Sequence, residues 1–150
     1  MSTIRYARRV SALRRVAGRP TWLLGRAHAR AHALLIDALT RAGMSGYQFR
    51  LLAALEEHGP ASQADLSRST GIDTSDVVAE VNHLATTGYV RRRRDNHDRR
   101  RNVVSITKTG RAALDRVGRV VDSVQDDVLA PLSEEERSTF LQLLAKLTET

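Results

Sequence analysis

Seven arginines fall within eleven residues, Arg91 to Arg94 and Arg99 to Arg101, against only Asp95 and Asp98, a local charge of +5. Guanidinium groups hold their charge at any physiological pH and present planar forks of donors that suit phosphate oxygens and base edges. Asp98 stands two residues before Arg100, within reach to orient its guanidinium. An arginine steered in this way at the tip of a loop can enter a minor groove narrowed by A·T pairs, where the negative potential is strongest. Taken alone, the same run would serve as a solvated basic loop. The elements that carry it decide between the two.

Tyr89 to Arg94 and Asn102 to Thr107 read as two strands, with Val104 and Ile106 alternating with Ser105 and Thr107. Asp95-Asn96-His97-Asp98 between them has turn-forming composition. Upstream, Asp73 or Thr74 caps a helix over residues 74–86, and Gly88 closes it. Helical projection buries Val77, Val81, Leu84 and Ala85. It leaves Ser75, Ala79, Asn82 and Thr86 outward, flanked by Asp76 and His83. Such a small, polar face suits close approach to bases, where Ser bonds several and Asn can pair bidentately with adenine. A solvated helix face would look similar. Before it, Ser62 caps a short helix with Asp65 three residues on, a variant of the capping box, burying Ala64 and Leu66 and ending before Gly71. Helix, turn, helix and basic hairpin is an order that places one helix in a DNA groove with a cationic finger beside it.

The flanks read as helices. Residues 3–17 carry a thin apolar stripe among arginines and fit three readings: a basic arm on DNA, a helix on a partner, or a frayed terminus. Pro20 opens an amphipathic helix to about Arg41, with Leu24, Ala27, Ala31, Leu34, Leu35, Ala38 and Ala42 at helical spacing, and Gly43 ends it. His28 and His32 share a side of it, four residues apart, and without acidic or Cys neighbours they read as hydrated or interface histidines rather than metal ligands. Ser45 to Glu57 is apolar on two sides, as a buried helix would be. After Gly110, Leu114, Val117, Val121, Val124 and Val128 follow alternating steps of three and four to Pro131. Ser133-Glu134-Glu135-Glu136 then opens a last helix, with Phe140, Leu143, Leu144 and Leu147 on one face.

The whole chain of 150 residues carries a net charge of +7, which points to a polyanionic partner. Residues 1–30 hold eight arginines and no acid, whereas from Arg111 onward eight acids outnumber five bases. There is no cysteine, so disulfides, Cys-based zinc modules and thiol peroxide switches are excluded. No apolar run is long enough for a membrane span or a signal peptide, and a cytoplasmic location is expected. No nucleophile stands beside a base in a recognisable motif and no Gly-rich phosphate loop occurs, so no enzyme activity, cofactor or metal is expected.

Arg94-Asp95-Asn96-His97-Asp98-Arg99-Arg100, followed by Val104-Ser105-Ile106-Thr107 and Gly110, resembles the wing signature of the MarR family of bacterial transcription regulators, roughly R-D-P-x-D-x-R and then V-x-L-T-x-x-G. The resemblance covers about residues 20–148. It implies a mainly α fold with a small β-hairpin wing: a winged helix-turn-helix lobe over 45–110, flanked by dimerisation helices over 20–44 and 111–150 of a single chain. It implies a homodimer reading a pseudo-palindromic operator in double-stranded DNA, and a repressor. Ser75, Asp76, Val78, Ala79 and Asn82 would lie near major-groove bases and Arg100 in the flanking minor groove. Ser62, Thr74, His83, Arg93, Arg94, Asp98, Arg99 and Arg101 complete the expected DNA-binding set. Many members release DNA when a small phenolic or anionic effector binds between the dimer helices and the DNA-binding lobe. Trp22, His28, His32, Tyr47 and Arg50 are the candidate liners, or else interface packing.

Two departures from the pattern matter. Asn96 replaces the usual proline, which loosens the turn. Val78 and Ala79 stand where the family often has threonine and arginine, and Asp76 and Glu80 add acid to the same helix. Modest sequence discrimination and steep salt dependence are therefore expected. An architectural DNA binder with little sequence preference is the alternative.

Overall fold

The computed structural model describes residues 14–94 and 102–149. These form six helices and one hairpin: α1 Pro20–Arg41, α2 Gly46–His58, α3 Gln63–Thr70, α4 Thr74–Thr86, β1 Val90–Arg94, β2 Asn102–Ile106, α5 Lys108–Leu129 and α6 Glu134–Thr148. The architecture is mainly helical with a β-hairpin wing, as expected. Two compact units divide it, Ile36–Asp126 and the remainder, with the boundaries falling inside α1 and α5.

In the Ile36–Asp126 unit, Leu51, Leu52, Leu55, Leu66, Val77, Val81, Leu84, Val104 and Val117 are wholly buried and form the core. Each short helix has its own start and stop. Ser45 and Ser62 open α2 and α3 with reciprocal capping boxes, closed by Gln48 and Asp65. Gly71 ends α3 in the left-handed conformation (φ 68°) and its N–H bonds back to the Ser67 carbonyl. The chain then turns through buried Ile72 to Asp73, the N-cap of α4. Ser67 locks that turn by donating from Oγ to the Ile72 carbonyl at 2.7 Å.

β1 and β2 pair antiparallel with Val90 opposite Ile106 and Arg94 opposite Asn102. Ala61, extended after Gly59-Pro60, adds a bridge to Val104, with N–H to carbonyl bonds of 3.0 and 2.8 Å in the two directions. The hairpin is thereby fastened to the entrance of α3.

Three local expectations need correction. Ala64 is exposed, because two residues of helix turn it about 200° away from Leu66, the one apolar position of α3 that faces the core. Thr107 lies past the second strand, and the following helix starts at Lys108 rather than after Gly110. The reason is a cap: Thr107 Oγ1 accepts from the Gly110 N–H at 3.0 Å while donating to the Gly88 carbonyl at 2.6 Å.

The other unit contains residues up to Leu35 and from Asp127 onward. Within it Arg30 donates to the carbonyls of Val128 and Asp127 at 2.9 and 3.2 Å, satisfying free acceptors at the C-terminus of α5. Ser133 caps α6 with a box closed by Glu136, as expected. No residue of α6 is buried, and Leu141, Leu143 and Leu147 are 53%, 55% and 63% exposed. Leu23 and Leu24 of α1 are also exposed.

Candidate nucleic-acid interface

α4 turns Val77, Val81 and Leu84 inward, and this fixes what it shows outward. Thr74, Ser75, Asp76, Val78, Ala79, Asn82, His83 and Thr86 are all exposed, and Ala85 is half-buried. The period-3.6 reading of this helix thus placed its outer face correctly.

Hydrogen bonds divide that face into committed and available groups. Asp73 Oδ1 accepts from both the Ser75 hydroxyl, at 2.6 Å, and the Ser75 backbone N–H, at 2.8 Å. Both bonds favour the ionised carboxylate, the hydroxyl's more, and hold the Asp73 pKa below its ordinary value. Thr74 Oγ1 donates to Ser67 Oγ at 3.2 Å. The first turn of α4 therefore spends much of its side-chain bonding on the cap and on α3. Glu80 is half-buried, and its Oε2 accepts from Gln48 Nε2 at 2.8 Å, which draws this acid toward α2.

Asn82 has a partner from another element. Arg92 Nη2 of β1 donates to Asn82 Oδ1 at 2.5 Å, and both side chains are exposed. Along with Gln63, Val78, Asn102 and Val104, the pair lines a shallow concavity between α3, α4 and the hairpin. Arg92, Gln63 and Asn102 are absent from the set expected from sequence. For Arg92 a signal existed. Strand side chains alternate, so Arg92 shares the face of buried Val90, the side on which it reaches Asn82 of α4.

Arg91, Arg93 and Arg94 are exposed along β1, and Arg91 Nε reaches Ser105 Oγ at 3.4 Å. Ser62, half-buried at the start of α3, accepts from the Asp65 N–H and donates to Asp65 Oδ2. Asp98, Arg99, Arg100 and Arg101 lie outside the described residues.

The candidate effector liners fall in both units. On α1, Trp22 is half-exposed, and His28 and His32 are exposed with stacked rings, centroids 5.6 Å apart. On α2, the Arg50 guanidinium lies 5.9 Å from the centroid of the Tyr47 ring and donates to the Thr70 carbonyl at 3.2 Å. Among the described residues no cluster could hold a metal ion, and no helix is long and apolar enough to cross a membrane.

Comparison with known proteins agrees with this geometry. A family model described as MarR family matches residues 39–101. The transcriptional repressor NicR of Pseudomonas putida is 30% identical over 128 residues, spanning 85% of this chain and 81% of NicR. A solved structure of a probable transcriptional regulator from Pseudomonas aeruginosa is 32% identical, with a TM-score of 0.74 over 87% of this chain and 97% of that one. Bordetella bronchiseptica BpsR, solved in connection with regulation of its DNA binding by 6-hydroxynicotinic acid, is 25% identical, with a TM-score of 0.75 over 89% of this chain and 96% of BpsR. On this relationship, and with its helix-turn-helix and hairpin in place, the chain belongs to the MarR family of winged helix-turn-helix transcription regulators.

Proposed function

We infer that this regulator is a homodimeric repressor of a pseudo-palindromic operator, each protomer laying α4 in the major groove with its arginine-rich hairpin alongside. The observation that carries this reading is the exposed face of α4 continuing directly onto β1 through the Asn82–Arg92 bond, so base-reading and cationic groups share one surface. Residues 45–110 serve as the DNA-binding lobe, and 20–44 and 111–150 as the dimerisation region. The exposed leucines of α6 and α1 support that division, because large apolar side chains left in water favour an association surface. The repressor sign follows NicR, which is named for it.

Release by an effector extends the same reading. BpsR is regulated by an aromatic carboxylate, and Tyr47 with Arg50 offers the matching chemistry, an aromatic face and a guanidinium. Trp22, His28 and His32 are further candidates on α1.

Selection of bound sequences from a random DNA pool, with sedimentation of the complex, tests the proposal. The expected result is two inverted half-sites about 10 bp apart, occupied by one dimer. A monomer on an asymmetric site would overturn it. One observation favours an architectural binder instead: Val78 and Ala79 offer no hydrogen bonds and Ser75 has committed its hydroxyl proton to Asp73. Equal displacement by random and selected duplexes would support that alternative.

A further inference from the structure

The bond between Arg92 and Asn82 constrains what α4 can read. Arginine has donors and no acceptor, so the amide atom facing Arg92 Nη2 must be the oxygen, and the NH2 group of Asn82 is turned the other way. Reading adenine with both edges of an Asn requires the amide oxygen for the N6 amino group and the NH2 for N7. With its oxygen turned to a guanidinium, Asn82 keeps only that oxygen's second lone pair for an N6 amino group, whose hydrogens would lie beside the positive charge of Arg92. What the pair chiefly presents is donors: the Asn82 NH2 and the Arg92 N–H groups not used in the bond.

A surface of donors finds its complement in a base that shows only acceptors. In the major groove guanine alone shows two acceptors, N7 and O6; thymine shows one, O4, beside its methyl group, while adenine and cytosine each present an amino group that would meet like dipoles. The neighbouring positions sharpen the choice. Ala79 is too small to compete for the base, and exposed Val78, which lines the same concavity as Asn82 and Arg92, can take a thymine methyl. The bond also restricts the rotamers of two exposed side chains before DNA arrives, which lowers the ordering cost of the contact.

We propose that Asn82 and Arg92 act as one specificity-determining unit that reads a guanine in the major groove of each half-site. Arg92 thereby supplies from β1 the guanidinium that α4 itself lacks. This rests on the DNA-reading function inferred above and assigns the base class that α4 selects.

The test is sequence selection from a random pool by the full-length wild-type chain and by Arg92→Met and Asn82→Ala. Each is followed by titration of the selected duplex and of duplexes altered at single positions. The wild type is expected to require guanine at one position per half-site, discriminating against adenine there on the order of ten- to a hundredfold. Both variants should lose that preference at that position and keep the rest of the site. Replacing that guanine by 7-deazaguanine, which removes the N7 acceptor, should reproduce the loss with the wild-type protein, independently of any effect of the substitutions on folding. Selection of adenine at the position sensitive to Asn82→Ala would overturn the proposal, as would a guanine preference that survives either substitution. Failure of the wild type to select any sequence would instead overturn the regulator reading, and this proposal with it.

Discussion

Gln48 Nε2 donates to Glu80 Oε2 at 2.8 Å, tying α2 to α4 across 32 residues of sequence. The same amide accepts from the Ser45 N–H at 3.1 Å, so one side chain closes a helix cap and holds a carboxylate of the groove-facing helix. Glu80 is half-buried while Asp76 is exposed, and the two acids of α4 are not equivalent. Asp76→Asn is expected to tighten duplex binding by about 0.5–1 kcal/mol, the scale of one screened surface charge. Glu80→Gln should change affinity less, and Glu80→Ala should lower unfolding stability by about 1 kcal/mol through the lost bond. Fluorescence anisotropy at fixed salt and urea unfolding measure the two effects. Equal tightening by Asp76→Asn and Glu80→Gln would show that the bond to Gln48 does not withdraw the second acid.

Gly110 is buried in the first turn of α5, and a Cβ there would run into the Tyr89 carbonyl oxygen. That oxygen already accepts the Thr107 N–H at 3.0 Å and cannot retreat without breaking the junction of wing and helix. Gly110→Ala is therefore expected to destabilise by about 1–3 kcal/mol. Gly118, further along the same helix, has open space around its position, and Gly118→Ala should stabilise by about 0.5–1 kcal/mol. Paired urea curves give both signs in one experiment.

The lowered pKa of Asp73 sets the direction of one pH effect. A carboxylate whose folded pKa lies below its unfolded value contributes stability above the unfolded pKa and loses it as pH falls through the folded one. Ser75→Ala removes the hydroxyl bond, the larger of the two causes, and should raise the Asp73 pKa toward its ordinary value. The variant is expected to be less stable at neutral pH and to approach the wild type as the solution is acidified below the carboxylate range. Urea midpoints across that range, with the Asp73 carboxyl followed by NMR, check the sign.

Leu143 and Leu147 of α6 are among the most exposed large apolar residues described. If they meet a second copy, Leu143→Asp together with Leu147→Asp should leave a monomer in sedimentation with helical content retained, and operator affinity should fall at least about a hundredfold through the lost second half-site. A dimer that survives both charges would move the association surface elsewhere.

Most helix starts and faces, and the hairpin, were legible in the chain because each depends on neighbours within a few residues; the start of α5 and the buried side of α3 were not. Ser62 with Asp65, Ser133 with Glu136 and Asp73 before α4 satisfy free N–H groups locally. The exposed face of α4 follows from which of its residues are apolar, whatever they pack on. The Ser45 box with Gln48 was equally local, although its second bond to Glu80 was not.

What tertiary structure alone decided are the meetings between elements. Ala61 bridging Val104, Gly110 against Tyr89, Gln48 on Glu80 and Arg92 on Asn82 each join segments whose periodicities are separately satisfied without the other. Local spacing says which way a side chain leaves its own helix or strand, but not which donor or acceptor will stand opposite once the cores interlock. Asn82 shows the consequence. Its position on α4 was plain from sequence, but its amide orientation, and with it the base it can read, came from a strand ten residues away.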